Sequence, residues 1–350
     1  MLYFPSILNL LHNMSDIQKK DLRLRSGFFH GNVSGLLTRQ DFLKEVFIES
    51  GASILFSAEY TWYNEHTILT TLLQKRVHIY GILSYRPEGR RYIVEEKLIQ
   101  QFIDYLDCYC EVLAPMQDDD EIKETYLQKL DEGRKEGFFP ILVTPDEILW
   151  ECLLMNSDPE SECSEEVLHH DIIDAYRKKM LGFTLPDGGQ CVDGMISERK
   201  EDAEEDGFDW EEEVMGEFAG GEPLHQFLSY WNYETRLTAP VILACIPVEN
   251  PWEIYAYLPF GGWNECPDTL ELMAVSKYWY ETYGAVPAAL SHDQLEFYTQ
   301  ETVEREAAKD LALEQYAFCP DRVDQCGEDC SIGELADCLS KSTIWYFWWD

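Results

Sequence analysis

The stretch Ser342-Thr343-Ile344-Trp345-Tyr346-Phe347-Trp348-Trp349-Asp350 constrains this chain more than any other. With the two-residue period of a strand, Ile344, Tyr346 and Trp348 share one face, and Trp345, Phe347 and Trp349 share the other. A strand apolar on both faces belongs in a sheet that is covered on both sides. Left open, so large an aromatic patch would invite aggregation. We therefore expect a central strand, inserted late, with the C-terminal fold assembled around it.

Charge divides the 350 residues unevenly. Residues 1–116 hold 12 Lys/Arg against 13 Asp/Glu, whereas residues 117–350 hold 15 against 53, so nearly all of the net charge of -39 lies in the second part. The step falls at Asp118-Asp119-Asp120 and suggests a domain boundary there. A near-neutral module would span 1–116 and an acidic domain 117–350, with acidic loops at 156–222 and a core at 240–350. With 45% hydrophobic and 13% aromatic residues, the chain is globular rather than a disordered acidic polymer. Phosphate binding needs a cationic face, so nucleic acid is excluded as the partner of the acidic part. No apolar run approaches the ~20 residues of a membrane span. The apolar start, residues 1–11, lacks the basic flank and cleavage site of a leader. Met14-Ser15-Asp16 reads as a start, which would make residues 1–13 an upstream extension. Eleven cysteines at unpaired spacings favour reduced thiols and a cytoplasmic location.

Periodicity predicts a helix after Thr38, a strand at 53–56, a helix at 67–74 and a strand at 77–83. A turn at 87–89 leads to a strand at 92–94, and a helix then aligns Leu98, Ile99, Phe102, Ile103, Leu106 and Tyr109. The acidic part opens with a helix through Ile122, Tyr126, Leu127 and Leu130 that ends near Gly137. A strand follows at 140–143, then a helix capped by Thr144 whose inner face is Ile148, Leu149, Leu153 and Leu154. Residues 158–166 and 198–217 read as acidic loops, the second carrying a short helix through Trp210, Val214 and Phe218. From Pro240 the expected order is β-β-α-β-β-α-α-β: strands at 241–246 and 252–258, a helix from Asp268 or Thr269 to Gly284, a hairpin at 286–298, helices at 301–318 and 332–339, and the terminal strand. The fold class is α/β, with α+β character at the C-terminal end and a mixed sheet preceded by the smaller module.

Asn250-Pro251-Trp252-Glu253, Pro259-Phe260-Gly261-Gly262-Trp263-Asn264-Glu265-Cys266-Pro267, Glu314-Gln315-Tyr316, Cys319-Pro320-Asp321, Val323-Asp324-Gln325 and Trp345-Tyr346-Phe347-Trp348-Trp349-Asp350 occur in this order. Over roughly the last 110 residues, and loosely at 138–155, the chain resembles an uncharacterised bacterial family, domain of unknown function 4253. The resemblance implies a bacterial origin and supplies no mechanism.

The best candidate site is the 261–267 loop. Gly261 and Gly262 open backbone conformations closed to other residues, with Trp263 between them and Asn264. Cys266 lies two residues before a helix N-cap, where the dipole lowers a thiol pKa. As a nucleophile it would need His292 or His225 as base; the blander reading is a structural turn that aims Asn264 inward. Glu314, Asp321, Asp324 and Asp350 would converge if the helix ending at Phe318 lies against the terminal strand, as general acid and base or around a cation. Alternatively Asp321 and Asp324 cap turns. Cys319, Cys326 and Cys330 follow C-x6-C-x3-C, too loose for a usual zinc site and short of a fourth ligand, so no metal and no cofactor are expected. His169-His170-Asp171 reads as an exposed helix start. The leading functional reading is a non-enzymatic binding or immunity-type module that engages a basic protein partner through its acidic surface. The alternative is a hydrolase-like enzyme built from Asn264, Cys266, Glu314, Asp321 and Asp324.

Overall fold

The computed structural model describes residues 91–350, apart from 161, 164–166, 208–209, 234 and 326–329. The elements expected at 38–83 and the turn at 87–89 lie outside the described residues. In chain order the elements are α1 (Arg91–Leu106), β1 (Tyr109–Leu113), α2 (Asp120–Glu136), β2 (Phe139–Val143), α3 (Glu147–Ser157), α4 (His170–Leu181) and α5 (Gly188–Asp206). A π-helical turn (Trp210–Met215), the short pair β3 (Trp231–Asn232) and β4 (Leu237–Thr238), and β5 (Val241–Ile246) follow. A 3-10 turn (Pro251–Ala256), α6 (Thr269–Tyr283), β6 (Val286–Leu290), β7 (Gln294–Tyr298), α7 (Arg305–Phe318), α8 (Asp321–Asp324), α9 (Ile332–Leu339) and β8 (Ile344–Trp348) complete the chain.

The main sheet has the order β1-β5-β2-β6-β7-β8. It is mixed: β2 and β6 are parallel, and every other neighbouring pair is antiparallel. One face packs Ile141, Val143, Ile242, Ala244, Phe297, Trp345 and Phe347 against α1, α3, α6, α7 and α9. The other carries Leu142, Leu243, Val286, Ala288 and Ile344 against Ile122, Tyr126 and Leu130 of α2 and against Phe227 and Tyr230. The α/β class and the mixed sheet with a C-terminal strand are those the sequence leads one to expect.

The position of that strand is not. β8 is an edge, not the centre. Both of its faces are apolar because the sheet has two covered faces, a property that edge and centre share. Backbone groups at both ends of the strand are satisfied by other elements, which protects it from adding a foreign chain. Thr343 and Ile344 donate their N–H groups to the Leu224 carbonyl at 3.1 and 3.2 Å. At the far end the Cys319 thiol donates to the Trp348 carbonyl at 3.0 Å.

Local chemistry explains the other departures. No strand forms at 92–94, where α1 already runs. The strand expected at 252–258 is the 3-10 turn: Pro251 presets its first position, and the Glu253 carboxylate accepts the N–H groups of Glu249 and Asn250, both at 3.0 Å. Asp146, not Thr144, caps α3 by accepting the Leu149 N–H at 2.8 Å, and Ile148 faces solvent rather than the inner face. The acidic stretch at 198–206 is the second half of α5, not a loop. Gly188 is needed at the start of α5, since a Cβ there would lie 2.1 Å from the Ala274 carbonyl of α6. The charge step at Asp118 falls between β1 and α2, inside this one sheet. Residues 91–113 belong to the same body as the acidic part, because β1 pairs with β5 over five residues. Among the described residues nine cysteines are free thiols, but Cys330 is disulfide-bonded, so the expectation of wholly reduced thiols fails there. Among the described residues no helix is long and apolar enough to cross a membrane.

Trp345 is fully buried in the main core and Trp348 only half-buried on the other face. Trp345→Ala should therefore cost about 3–5 kcal/mol of unfolding free energy, and Trp348→Ala less than about 2 kcal/mol, as read from urea midpoints at constant m-value. Equal costs would contradict this division of the faces.

Candidate functional site

The family-like motifs meet around the end of β8. The Gly261 φ of 88° and its contact with the loop leave no room for a side chain, since a Cβ would sit 2.1 Å from the Pro267 carbonyl. Gly262 closes the loop by donating its N–H toward the carbonyls of Cys266 and Pro267 at 3.2 and 3.1 Å. Asn156 of α3 holds it from below, its amide donating to the Pro259 and Gly261 carbonyls at 2.7 and 3.1 Å. Asn264, itself at a φ of 45°, donates its side-chain amide to the Asp350 carbonyl. The Asp350 N–H in turn donates to the Asp321 carboxylate at 2.9 Å. Trp349 is buried between Phe260 and Phe318, with ring centroids 5.8 and 5.7 Å away, and Trp263 meets Phe260 edge-on. Loop, α8 and strand end form one latch.

That arrangement gives most of the candidate catalytic groups structural work. Cys266 is 4% exposed, and burial, with Cys319 and Cys152 nearby, pushes its thiol far above the ordinary range. Cys319 is likewise pushed up by burial, to about 12. Neither is a thiolate near neutral pH. The carboxylates go to separate partners. Glu314 accepts the Tyr278 hydroxyl and the Trp279 indole N–H, both at 2.8 Å, and burial raises its pKa. Asp321 accepts Asp350 N–H and the Gln325 amide. Asp324, its pKa also raised by burial, faces the Tyr316 hydroxyl at 3.4 Å. Of the loose cysteine triplet, Cys330 is in a disulfide and the Cys319 thiol donates to the Trp348 carbonyl; Cys326 lies outside the described residues.

Two clefts flank this region. The first, about 380 Å³, is walled by Glu198 and Arg199 of α5, by Asn264, Glu265 and Cys266 of the loop, and by Glu271. Arg199 is bonded to Glu265 and lies 3.8 Å from Asp202. The second, about 300 Å³, opens where the parallel strands β2 and β6 end, between Thr144, Asp146, Ser229 and His292. There His292 Nδ1 is 2.9 Å from Asp146 Oδ2, and this bond raises the imidazole pKa despite partial burial. His225 pairs instead with the Thr343 hydroxyl at 3.1 Å. Among the described residues no hydrogen bond joins either histidine to Cys266. The sequence alone does not suggest the Asp146–His292 pair, because Thr144 reads as the cap of α3 and His292, in the hairpin turn, enters only as a base for Cys266. The available signal was positional: polar residues follow both of two apolar strands, where open α/β sheets place ligand crevices.

Glu296 of β7 is 0% exposed, and among the described residues no cation is paired with it. Its carboxylate accepts the N–H groups of Leu228 and Ser229 at 2.9 and 3.0 Å and so pins the segment that covers the second face of the sheet. Burial pushes its pKa up to about 7.

These features define a three-layer α/β protein with a latched C-terminal strand and an acid-rimmed cleft beside the latch. Residues 242–350 match the model of a family described as Domain of unknown function (DUF4253). Neither a curated protein nor a solved structure matches the chain. The matched segment runs from β5 to β8 and lacks β2, which lies between β5 and β6 in the sheet.

Two predictions follow from these placements. Expressed alone, residues 242–350 should show no cooperative unfolding transition, since β5 and β6 then have no strand between them; a sharp calorimetric transition would overturn this. For Glu296, the unfolded carboxyl loses its proton near 4.5 and the folded one near 7, so the native state binds the extra proton between those values. Stability should therefore fall by about 3 kcal/mol as pH rises through this window and level off above it. Glu296→Gln should flatten that slope while costing about 1–3 kcal/mol at low pH, where the amide can accept only one of the two N–H groups well. A slope unchanged in the variant would assign the pH dependence elsewhere.

Proposed function

We propose that this protein is a non-enzymatic binding module, of the kind that neutralises a basic protein partner, and that the partner docks on the acidic surface around the first cleft. The observation that carries the reading is the charge balance of that cleft. Glu198, Glu265 and Glu271 line it, Asp202 lies 3.8 Å from the lining Arg199, Glu201, Glu204 and Glu205 are exposed on the same helix, and Arg199 is already committed to Glu265. A volume of about 380 Å³ accommodates a lysine or arginine side chain. Carboxylates around it would steer a cationic surface into register and make its binding salt-sensitive. The hydrolase-like alternative gains little, because Asn264, Glu314 and Asp321 are engaged in the latch or the core and Cys266 is buried as a thiol. A bacterial, cytoplasmic, immunity-type role is the setting in which such a surface serves best.

The test is affinity capture from the source cells followed by measured affinities. A basic protein should be retained at low salt and released as salt rises. Glu198→Lys with Asp202→Lys should weaken its binding about tenfold or more, roughly 1.4 kcal/mol or above. Glu121→Lys with Glu124→Lys, an equal charge change on α2, should leave it nearly intact. If both double variants weaken binding equally, net charge rather than this cleft is responsible; if nothing basic is retained, the reading fails.

A further inference from the structure

Cys108 and Cys110 stand where the chain leaves α1 and enters β1. Asp107, in the left-handed region at a φ of 46°, turns the backbone there, and Cys108 lies in the bend that follows. Side chains two apart along a strand share a face, and the bend brings this pair together, with Sγ atoms 4.0 Å apart. Both are free thiols, and neither takes part in the latch, the acidic cleft or the Asp146–His292 pair. Cys110 is 1% exposed, whereas Cys108 is only partly buried. The third thiol of this region, Cys245 on β5, pairs across the ladder with Tyr109, one residue out of phase with both. Cys110 is therefore the thiol placed to react with Cys108.

We propose that Cys108 and Cys110 form a reversible dithiol–disulfide site, oxidised by a small peroxide. In the first step the Cys108 thiolate attacks a peroxide oxygen. An S–O bond forms, the O–O bond breaks, and the departing hydroxide takes up a proton as water, which leaves Cys108 as a sulfenic acid. In the second step the Cys110 sulfur, giving up its proton, attacks Cys108. The S–S bond forms, the S–O bond breaks, and a second water leaves. Two thiols and one peroxide thus become one disulfide and two waters; sulfur is oxidised and the peroxide is reduced. Closing the bond needs the sulfurs to approach to about 2.05 Å, a local movement at the start of an edge strand. The small ring that results is strained and open to reduction by an external dithiol.

The whole chain is treated with stoichiometric hydrogen peroxide, blocked with N-ethylmaleimide in denaturant, digested with trypsin and weighed. The peptide spanning residues 98–123 should lose two hydrogens and take up no maleimide, and dithiothreitol added before blocking should restore two reactive thiols. Cys110→Ser should stop Cys108 at a sulfenic acid trapped by dimedone, Cys108→Ser should abolish the peroxide-dependent change in this peptide, and Cys245→Ser should leave it as in the parent. The proposal is overturned if both cysteines still take maleimide after peroxide, if the peptide is instead cross-linked to that of Cys245, or if Cys108 proceeds to a sulfinic acid while Cys110 remains free.

Discussion

Trp279 of α6 is fully buried and in ring contact with four other aromatic side chains. It stacks on Phe347 at 5.5 Å and an interplanar angle of 12°, and meets Phe297, Phe318 and Trp345 at 5.5, 5.0 and 5.8 Å in edge-on arrangements. Those partners come from β7, α7 and β8, so one indole ties a helix, two strands and a second helix together. Each such pair adds about 0.5–1.5 kcal/mol beyond burial, and the Trp279 N–H, which would otherwise be a buried unpaired donor, goes to Glu314. The Glu314 carboxylate, a catalytic candidate on sequence grounds, is thus part of what allows the aromatic cluster to be polar at one point. The latch extends the same cluster through Phe318 to Trp349 and Phe260, and then to the 261–267 loop.

The existence of most elements was legible in the sequence, because caps and periodic stripes are local. The helix from Asp268 to Gly284, the hairpin, α9 and β8 all follow from residues within one or two turns of each other. Order in the sheet was not legible. Whether β8 is central or an edge depends on which strands pair, and its alternation reports only that both faces are covered. For the same reason β2 could not be seen to lie between β5 and β6, a placement that weaves a strand from outside the family-matched segment into the middle of its sheet. Charge composition was the least informative guide to the fold. It is a property of the surface, and the surface changes character at Asp118 while the sheet beneath continues from β1 to β5.

The motifs Gly261-Gly262-Trp263-Asn264, Cys319-Pro320-Asp321 and Trp348-Trp349-Asp350 share a single physical task, which a sequence reading cannot separate from catalysis. Rare residues at fixed spacing are demanded equally by a reactive centre and by a tight junction. Geometry distinguishes them here: Asn264 and Asp321 are both spent on the backbone of Asp350, from opposite sides, and Cys266 beneath them is held as a neutral thiol.

The acidic residues divide into two populations with different physics. Inside, carboxylates are held chiefly by polar donors rather than by cations: Glu296 by two backbone N–H groups, Glu314 by a phenol and an indole, Asp119 by the Tyr230 hydroxyl. Each pins a segment that would otherwise drift, and for Glu296 and Glu314 the cost of burying charge appears as a raised pKa. Outside, the carboxylates of α5 face water and one another with few bases between them. Their mutual repulsion favours any state in which a cation joins them. The interior therefore holds negative charge through fixed polar donors, whereas the surface beside the latch leaves it to water.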